Sequence, residues 1–206
     1  SLIYNTVDSP FTPRRGLKLT ASGQVTGGPL GGTLNYLRPD LEAIFYIPHT
    51  RKTALGIRAQ FGMIRPYSAT AVIDPVTGRS SLPFYLRFYM GGEQQIRGYQ
   101  IRSVGPREPS SSALVGGDKF ALFNAEYYFD VFGPVRALLF FDAGQSYPKG
   151  EKITFRSAVV STGAELRFIM PVLNVPFRLI YAFNPNADLR IVESKRVFRF
   201  AVGTTF

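Results

Sequence analysis

Along most of this chain apolar and polar side chains alternate with a period of two, the pattern of β-strands with two unlike faces, and helical periodicity is scarce. Leu17, Leu19, Ala21, Gly23 and Val25 share one face, with Lys18, Thr20, Ser22 and Gln24 on the other. Next, Leu37, Leu41, Ala43, Phe45 and Ile47 oppose Tyr36, Arg38, Asp40, Glu42 and Tyr46. Leu55, Ile57, Ala59, Phe61 and Met63 then oppose Gly56, Arg58, Gln60 and Gly62. The rhythm returns at 121–129, where Asn124 and Glu126 lie on the polar face. It continues through 135–143 (Arg136, Asp142), 162–170 (Glu165, Arg167) and 177–183 (Arg178). A last segment, 198–206, sets Phe198, Phe200, Val202 and Phe206 against Arg199, Ala201, Gly203 and Thr205. Residues 1–16 read as a short strand-like stub followed by a Pro- and Arg-rich turn.

Turns at 48–52 and 132–134 are short, and a further turn is expected around 171–176. One connection is not short. It runs from about 65 to 118, a length that is uncommon in a compact domain unless the loop has a task. It contains Gly91-Gly92-Glu93-Gln94-Gln95-Ile96-Arg97-Gly98-Tyr99, where the paired glycines permit a tight fold-back that presents Arg97 and Tyr99.

Alternation alone fits a soluble barrel or sandwich, whose apolar face is the core, as well as a membrane barrel, whose apolar face meets lipid. Three features favour the membrane. The apolar faces mix large aromatics with Ala and Gly, less selectively than a densely packed small core. The opposite faces mix Lys18, Arg38, Arg58, Arg136, Arg167, Arg178 and Arg199 with Asp40, Glu42, Glu126, Asp142 and Glu165, a composition suited to ion pairs across a wet lumen. The last residue, Phe206, is aromatic where a frayed end is usually polar.

Composition narrows the chemistry. With 18 Phe, 11 Tyr and no Cys, the chain has no disulfide framework and no thiolate metal site. Its one histidine, His49, sits in a turn without a second histidine near it. The net charge of +10 comes from arginines set singly among apolar residues, unlike a nucleic-acid-binding tail or helix. The acids are interleaved with arginines, which suits structure better than acid–base catalysis, and nucleophile elbows and phosphate-cradling loops are absent. We therefore expect no enzyme activity, no catalytic or metal-binding residue and no cofactor. No apolar run approaches the roughly 20 residues of a membrane helix, and no signal peptide is seen. The chain starts at Ser1, so the expectation leaves a removed upstream region open.

The landmarks Asp8, Phe11-Thr12-Pro13-Arg14-Arg15-Gly16, Phe88-Tyr89-Met90-Gly91-Gly92 and Ile96-Arg97-Gly98-Tyr99 occur in that order. Gly105-Pro106, Gly116-Gly117, Phe141-Asp142-Ala143-Gly144 and the terminal Phe206 follow. Together they resemble the C-terminal part of the barrel in BamA-type outer-membrane assembly factors, the bacterial surface antigen family, whose relatives include the two-partner secretion transporters. The resemblance spans almost the whole chain. It implies a bacterial (Gram-negative) outer-membrane location and a long extracellular loop folded into the barrel, with Arg97 pairing in the lumen with Glu126 and Asp142. It also implies that Gly203 loosens the last strand where a seam opens, as a mid-strand glycine does physically, admitting a nascent strand by β-augmentation. A small residue against a crowded lumen explains Gly203 as well.

The strand count departs from the family, whose members build barrels of about 16 strands behind periplasmic domains. The expectation here is one all-β domain over 1–206, an antiparallel transmembrane barrel of about eight strands, without periplasmic domains. An eight-stranded barrel fills with its own side chains, so a loop of about 50 residues does not fit inside. Three resolutions are open: a fragment of a larger barrel, two copies forming one barrel as a homodimer, or a loop outside. The expectation adopted is the short barrel with its loop displaced or capping the mouth. Functionally this reads as an outer-membrane assembly or translocation barrel acting on unfolded outer-membrane polypeptides, with lipids and assembly machinery as partners. The competing readings are a small pore or structural barrel, and a soluble ligand-binding barrel.

Overall fold

Period-two alternation becomes one antiparallel sheet. The computed structural model describes residues 1–72, 82–108, 111–170, 175–187, 194–204 and 206. Its strands are β1 (Leu2–Asn5), β2 (Gly16–Thr26), β3 (Tyr36–Pro48), β4 (Thr53–Met63) and β5 (Arg65–Pro66), then β6 (Lys119–Phe132), β7 (Val135–Tyr147), β8 (Val159–Met170), β9 (Val175–Phe183) and β10 (Arg196–Val202). The order across the sheet is β1-β2-β3-β4-β6-β7-β8-β9-β10, with the two-residue β5 pairing beside β4 on β3. Of the expected turn at 171–176, residues 171–174 lie outside the described residues, as do 73–81 and 109–110 of the long loop.

The two faces differ as alternation predicts. Leu41, Phe45, Leu139, Phe141, Leu179 and Phe200 are exposed on the outer face, while Asn124, Glu126, Asp142, Glu165 and Arg178 are buried on the inner one. The inner face is layered rather than uniformly polar. Along β6, Phe120 and Leu122 join an apolar cluster with Met90, Ile96, Tyr99 and Val104 of the loop. Asn124 and Glu126 follow, and then Tyr128, which packs in a second cluster with Ile44, Tyr46, Leu138, Phe140 and Ile180.

Several expectations differ from the structure. The long loop is neither displaced nor a cap on the mouth; it lies against the inner face, where Arg97 is 0 % exposed. For the same reason the charged layer is dry, not a wet lumen. Nor does the sheet close. Among the described residues no pairing joins β10 to β1 or β2, and both ends of the order remain edges. The physical reason is circumference: a loop that occupies the interior needs a wider wall than eight strands give. Nine strands lie along the antiparallel path, so β1 and β10 run in the same direction and are not antiparallel partners for each other. The last strand also ends early, at Val202. Gly203, at φ +103°, a backbone angle that favours glycine, turns the chain inward. Phe206 therefore stacks on Tyr46 at 6.3 Å between ring centroids, rather than facing outward with Phe198 and Phe200.

Candidate functional site: the docked loop

The loop reaches the wall because its glycines let it double back. Gly91 and Gly92 have φ of +109° and +100°. Met90 and Val104 form one bridge across the loop, and Gly92 and Ile96 another. At the tip, the Gly92 N–H donates to the Tyr99 carbonyl at 3.1 Å. Gly98, at φ +84°, lies so close to β9 that an added Cβ would stand 2.8 Å from the Ala182 Cβ. Tyr99 is buried, and burial lifts its phenol to a pKa of about 12.

Between Ile96 and Gly98 the loop delivers Arg97 into a ring of acids. Its Nε and Nη2 form a bidentate pair with Asp142 at 2.7 and 2.6 Å. Nη1 donates to Glu126 at 2.6 Å and to Glu165 at 3.1 Å, and the backbone N–H donates to Asp142 at 3.1 Å. The guanidinium also lies 3.8 Å from the centroid of the Phe140 ring. Such a fork of charge-assisted bonds is directional as well as strong.

Two further arginines complete the layer. Arg167 donates to Glu165 at 2.6 Å and Glu126 at 2.8 Å; Arg178 donates to both oxygens of Glu165, at 2.6 and 2.8 Å. Three guanidiniums thus face three carboxylates, and the buried layer is neutral overall. This balance explains a register that otherwise looks unfavourable. Arg136, Arg167 and Arg178 lie directly opposite one another across β7, β8 and β9, where like charges repel. Glu126 and Glu165 separate two of them, and Asp130 holds Arg136 at 2.9 Å.

The wall also grips the loop by its backbone. Three successive carbonyls each accept a hydrogen bond from a different strand: Glu93 from Arg178 of β9 at 3.2 Å, Gln94 from Arg58 of β4 at 3.0 Å, and Gln95 from Asn124 of β6 at 2.7 Å. The Glu93 carboxylate lies 3.4 Å from Arg199 on the edge strand β10. One short piece of loop therefore ties β4 to β10 across the trough.

At the opposite end of the sheet, the turn at 8–16 packs against β6 and β7. Arg136 donates to the Pro13 carbonyl at 2.8 Å, and Arg14 pairs with Asp130 at 3.1 Å. There too Tyr46 donates to the Phe206 carbonyl at 3.1 Å, and Arg58 lies 5.8 Å from the Phe206 ring.

The structure thus brings Arg97, Glu126 and Asp142 together, with Gly91, Gly92, Gly98 and Tyr99 shaping the tip. Gly203 lies against β9, where its N–H donates to the Pro176 carbonyl at 2.9 Å, and Phe206 packs on Tyr46 of β3 in the apolar cluster next to the ion layer. Sequence reasoning set Glu165, Arg167 and Arg178 among the ion-pairing residues of the inner face but did not assign them to the cluster around Arg97, and it missed Arg58 and Asn124 as loop anchors. Alternation puts all five on inward faces, but their depth depends on register. With each acid engaged by guanidinium, the site holds a loop; it offers no free carboxylate pair for acid–base work. Groups of three or more metal-ligating side chains are absent among the described residues.

Comparisons with known proteins agree on one family. The model of the Omp85 superfamily domain matches residues 1–206. The outer membrane protein assembly factor BamA of Nitratidesulfovibrio vulgaris is 30% identical over 206 residues, covering 98% of this chain and 24% of that protein. BamA of Neisseria meningitidis serogroup B is 26% identical over 234 residues, covering 98% of this chain and 28% of that protein. Among solved structures, BamA from Haemophilus ducreyi lacking POTRA domains 1-3 superposes with a TM-score of 0.77 at 18% identity, covering 98% of this chain and 41% of that one. The chain spans about a quarter of the length of the curated relatives it matches.

Proposed function

Because the chain belongs to the Omp85 superfamily, we propose that it forms the loop-bearing part of an outer-membrane barrel that assists unfolded outer-membrane polypeptides into the bilayer, without enzymatic chemistry. The observation that carries this reading is the burial of Arg97 among three acids of the wall. A long loop drawn inward and held by an ion cluster keeps the trough in a set shape beside the unpaired edge of β10. An edge strand offers the backbone donors and acceptors that an incoming strand needs. The relatives bear the name of assembly factors, and the exposed apolar outer face suits hydrocarbon. We place the protein in the outer membrane of Gram-negative bacteria, with lipids and unfolded barrel polypeptides as its partners.

The test uses the purified chain in liposomes and the rate at which an unfolded β-barrel substrate becomes folded and protease-resistant. Acceleration over empty liposomes is expected, with a reduced rate for Arg97→Gln. Equal rates with and without the chain would remove the assembly role.

A further inference from the structure

A second polar site lies away from the ion cluster, where the long loop rejoins the sheet near the β7–β8 connection. There a cavity of about 440 Å³ opens between loop and strand ends, within the roughly 300–1,000 Å³ of small-ligand pockets. Its lining includes the ion pair of Arg87 and Asp118, 3.2 Å apart with both side chains largely buried. Ser146 lines it too. This residue is 2% exposed, and its hydroxyl has no hydrogen-bond partner among the described residues. A buried polar atom in that condition calls for a partner. Gly105, also in the lining, packs directly against this hydroxyl: a Cβ there would stand 2.7 Å from the Ser146 Oγ.

The cavity's exposed residues carry the other charges, Arg107, Lys149 and Glu151. Arg107 donates to the Ser112 and Ser103 carbonyls at 2.9 and 3.1 Å. These bonds fix the guanidinium without neutralising it. Lys149 makes no hydrogen bond among the described residues. The lining therefore holds three cations against two acids, with Arg87 already matched by Asp118.

We propose that this cavity binds a phosphorylated sugar. Its phosphate meets Arg107 and Lys149, while its hydroxyls reach Asp118 and Ser146. The order is set by charge, since the Asp118 carboxylate repels phosphate and accepts from hydroxyls. Both a soluble sugar phosphate and the head group of a phosphorylated glycolipid present this chemistry.

The experiment is calorimetric titration of the refolded chain in detergent micelles with glucose 1-phosphate, glucose and inorganic phosphate, followed by a phosphorylated disaccharide lipid in mixed micelles. Glucose 1-phosphate is expected to bind saturably, with each simpler probe about tenfold weaker or more. Lys149→Gln, which breaks no internal hydrogen bond, is expected to weaken it about tenfold, and Ser146→Ala by a smaller factor. Tighter binding of the lipid than of the soluble ester marks the head group as the source; tighter binding of the ester marks the soluble compound. Absence of saturable binding by glucose 1-phosphate would overturn the site. So would equal affinity in wild type and Lys149→Gln, or inorganic phosphate binding as tightly as the ester.

Discussion

Arg97 is the member of the buried six-residue charge layer that the loop supplies; Glu126, Asp142, Glu165, Arg167 and Arg178 all come from the wall. Removing its charge leaves three carboxylates against two guanidiniums where water does not reach. Breaking a buried pair in this way costs about 3–5 kcal/mol, so Arg97→Gln is expected to lower the urea midpoint of the micelle-refolded chain and expose the loop to protease. Arg97→Lys keeps the charge but loses the bidentate fork on Asp142 and the stacking on Phe140, a smaller loss of about 1–3 kcal/mol. Equal unfolding midpoints for all three proteins would show that the cluster does not hold the loop.

As an element the loop is gripped by its carbonyls as well as by the Arg97 side chain. Gln94 is exposed while its carbonyl is held by Arg58. Gln94→Ala should therefore stay within about 0.5 kcal/mol of wild type, and Asn124→Leu, which strips donors from Gln95 and Asp142, should cost about 1–3 kcal/mol. Urea titration of both variants checks the contrast. The turn at 8–16 responds to pH instead. Burial raises the Asp8 pKa, but hydrogen bonds from the backbone N–H groups of Arg14, Arg15 and Ser9 outweigh it and leave the value below 3.8. A lowered folded-state pKa contributes stability above the unfolded value, and that contribution fades as pH falls through the folded one. Amide protection at Arg14 should therefore drop below about pH 4, and Asp8→Asn should flatten that dependence in hydrogen exchange. Strand positions were legible in the sequence because period-two alternation is local: the eight long strands and their faces follow from it, except past Val202, where Gly203 turns the chain. Burial of the loop followed only from the family resemblance and not from alternation, since it depends on the circumference of the whole wall. Glu165 escaped for a related reason. Its face follows from alternation, but only the register across β7 and β8 sets it within reach of Arg97.

At the scale of the molecule, two unlike faces and, among the described residues, two unpaired edges define the object. The inner face is packed by loop and ion layer, and the outer face is apolar and exposed. The edges belong to strands that run the same way, so they do not close on each other in antiparallel fashion. Everything proposed for function depends on hydrocarbon meeting the outer face. The chain contains no tryptophan, so a single introduced indole reports its own surroundings. Leu139 and Phe200 are 55% and 59% exposed on the outer face, while Phe140, beside Leu139, is 3% exposed on the inner one. The decisive measurement is the fluorescence of Leu139→Trp, Phe200→Trp and Phe140→Trp in bilayers whose acyl chains carry bromine. Strong quenching at 139 and 200 with little at 140 is the predicted result; quenching at 140 alone, or at none of the three, would contradict it.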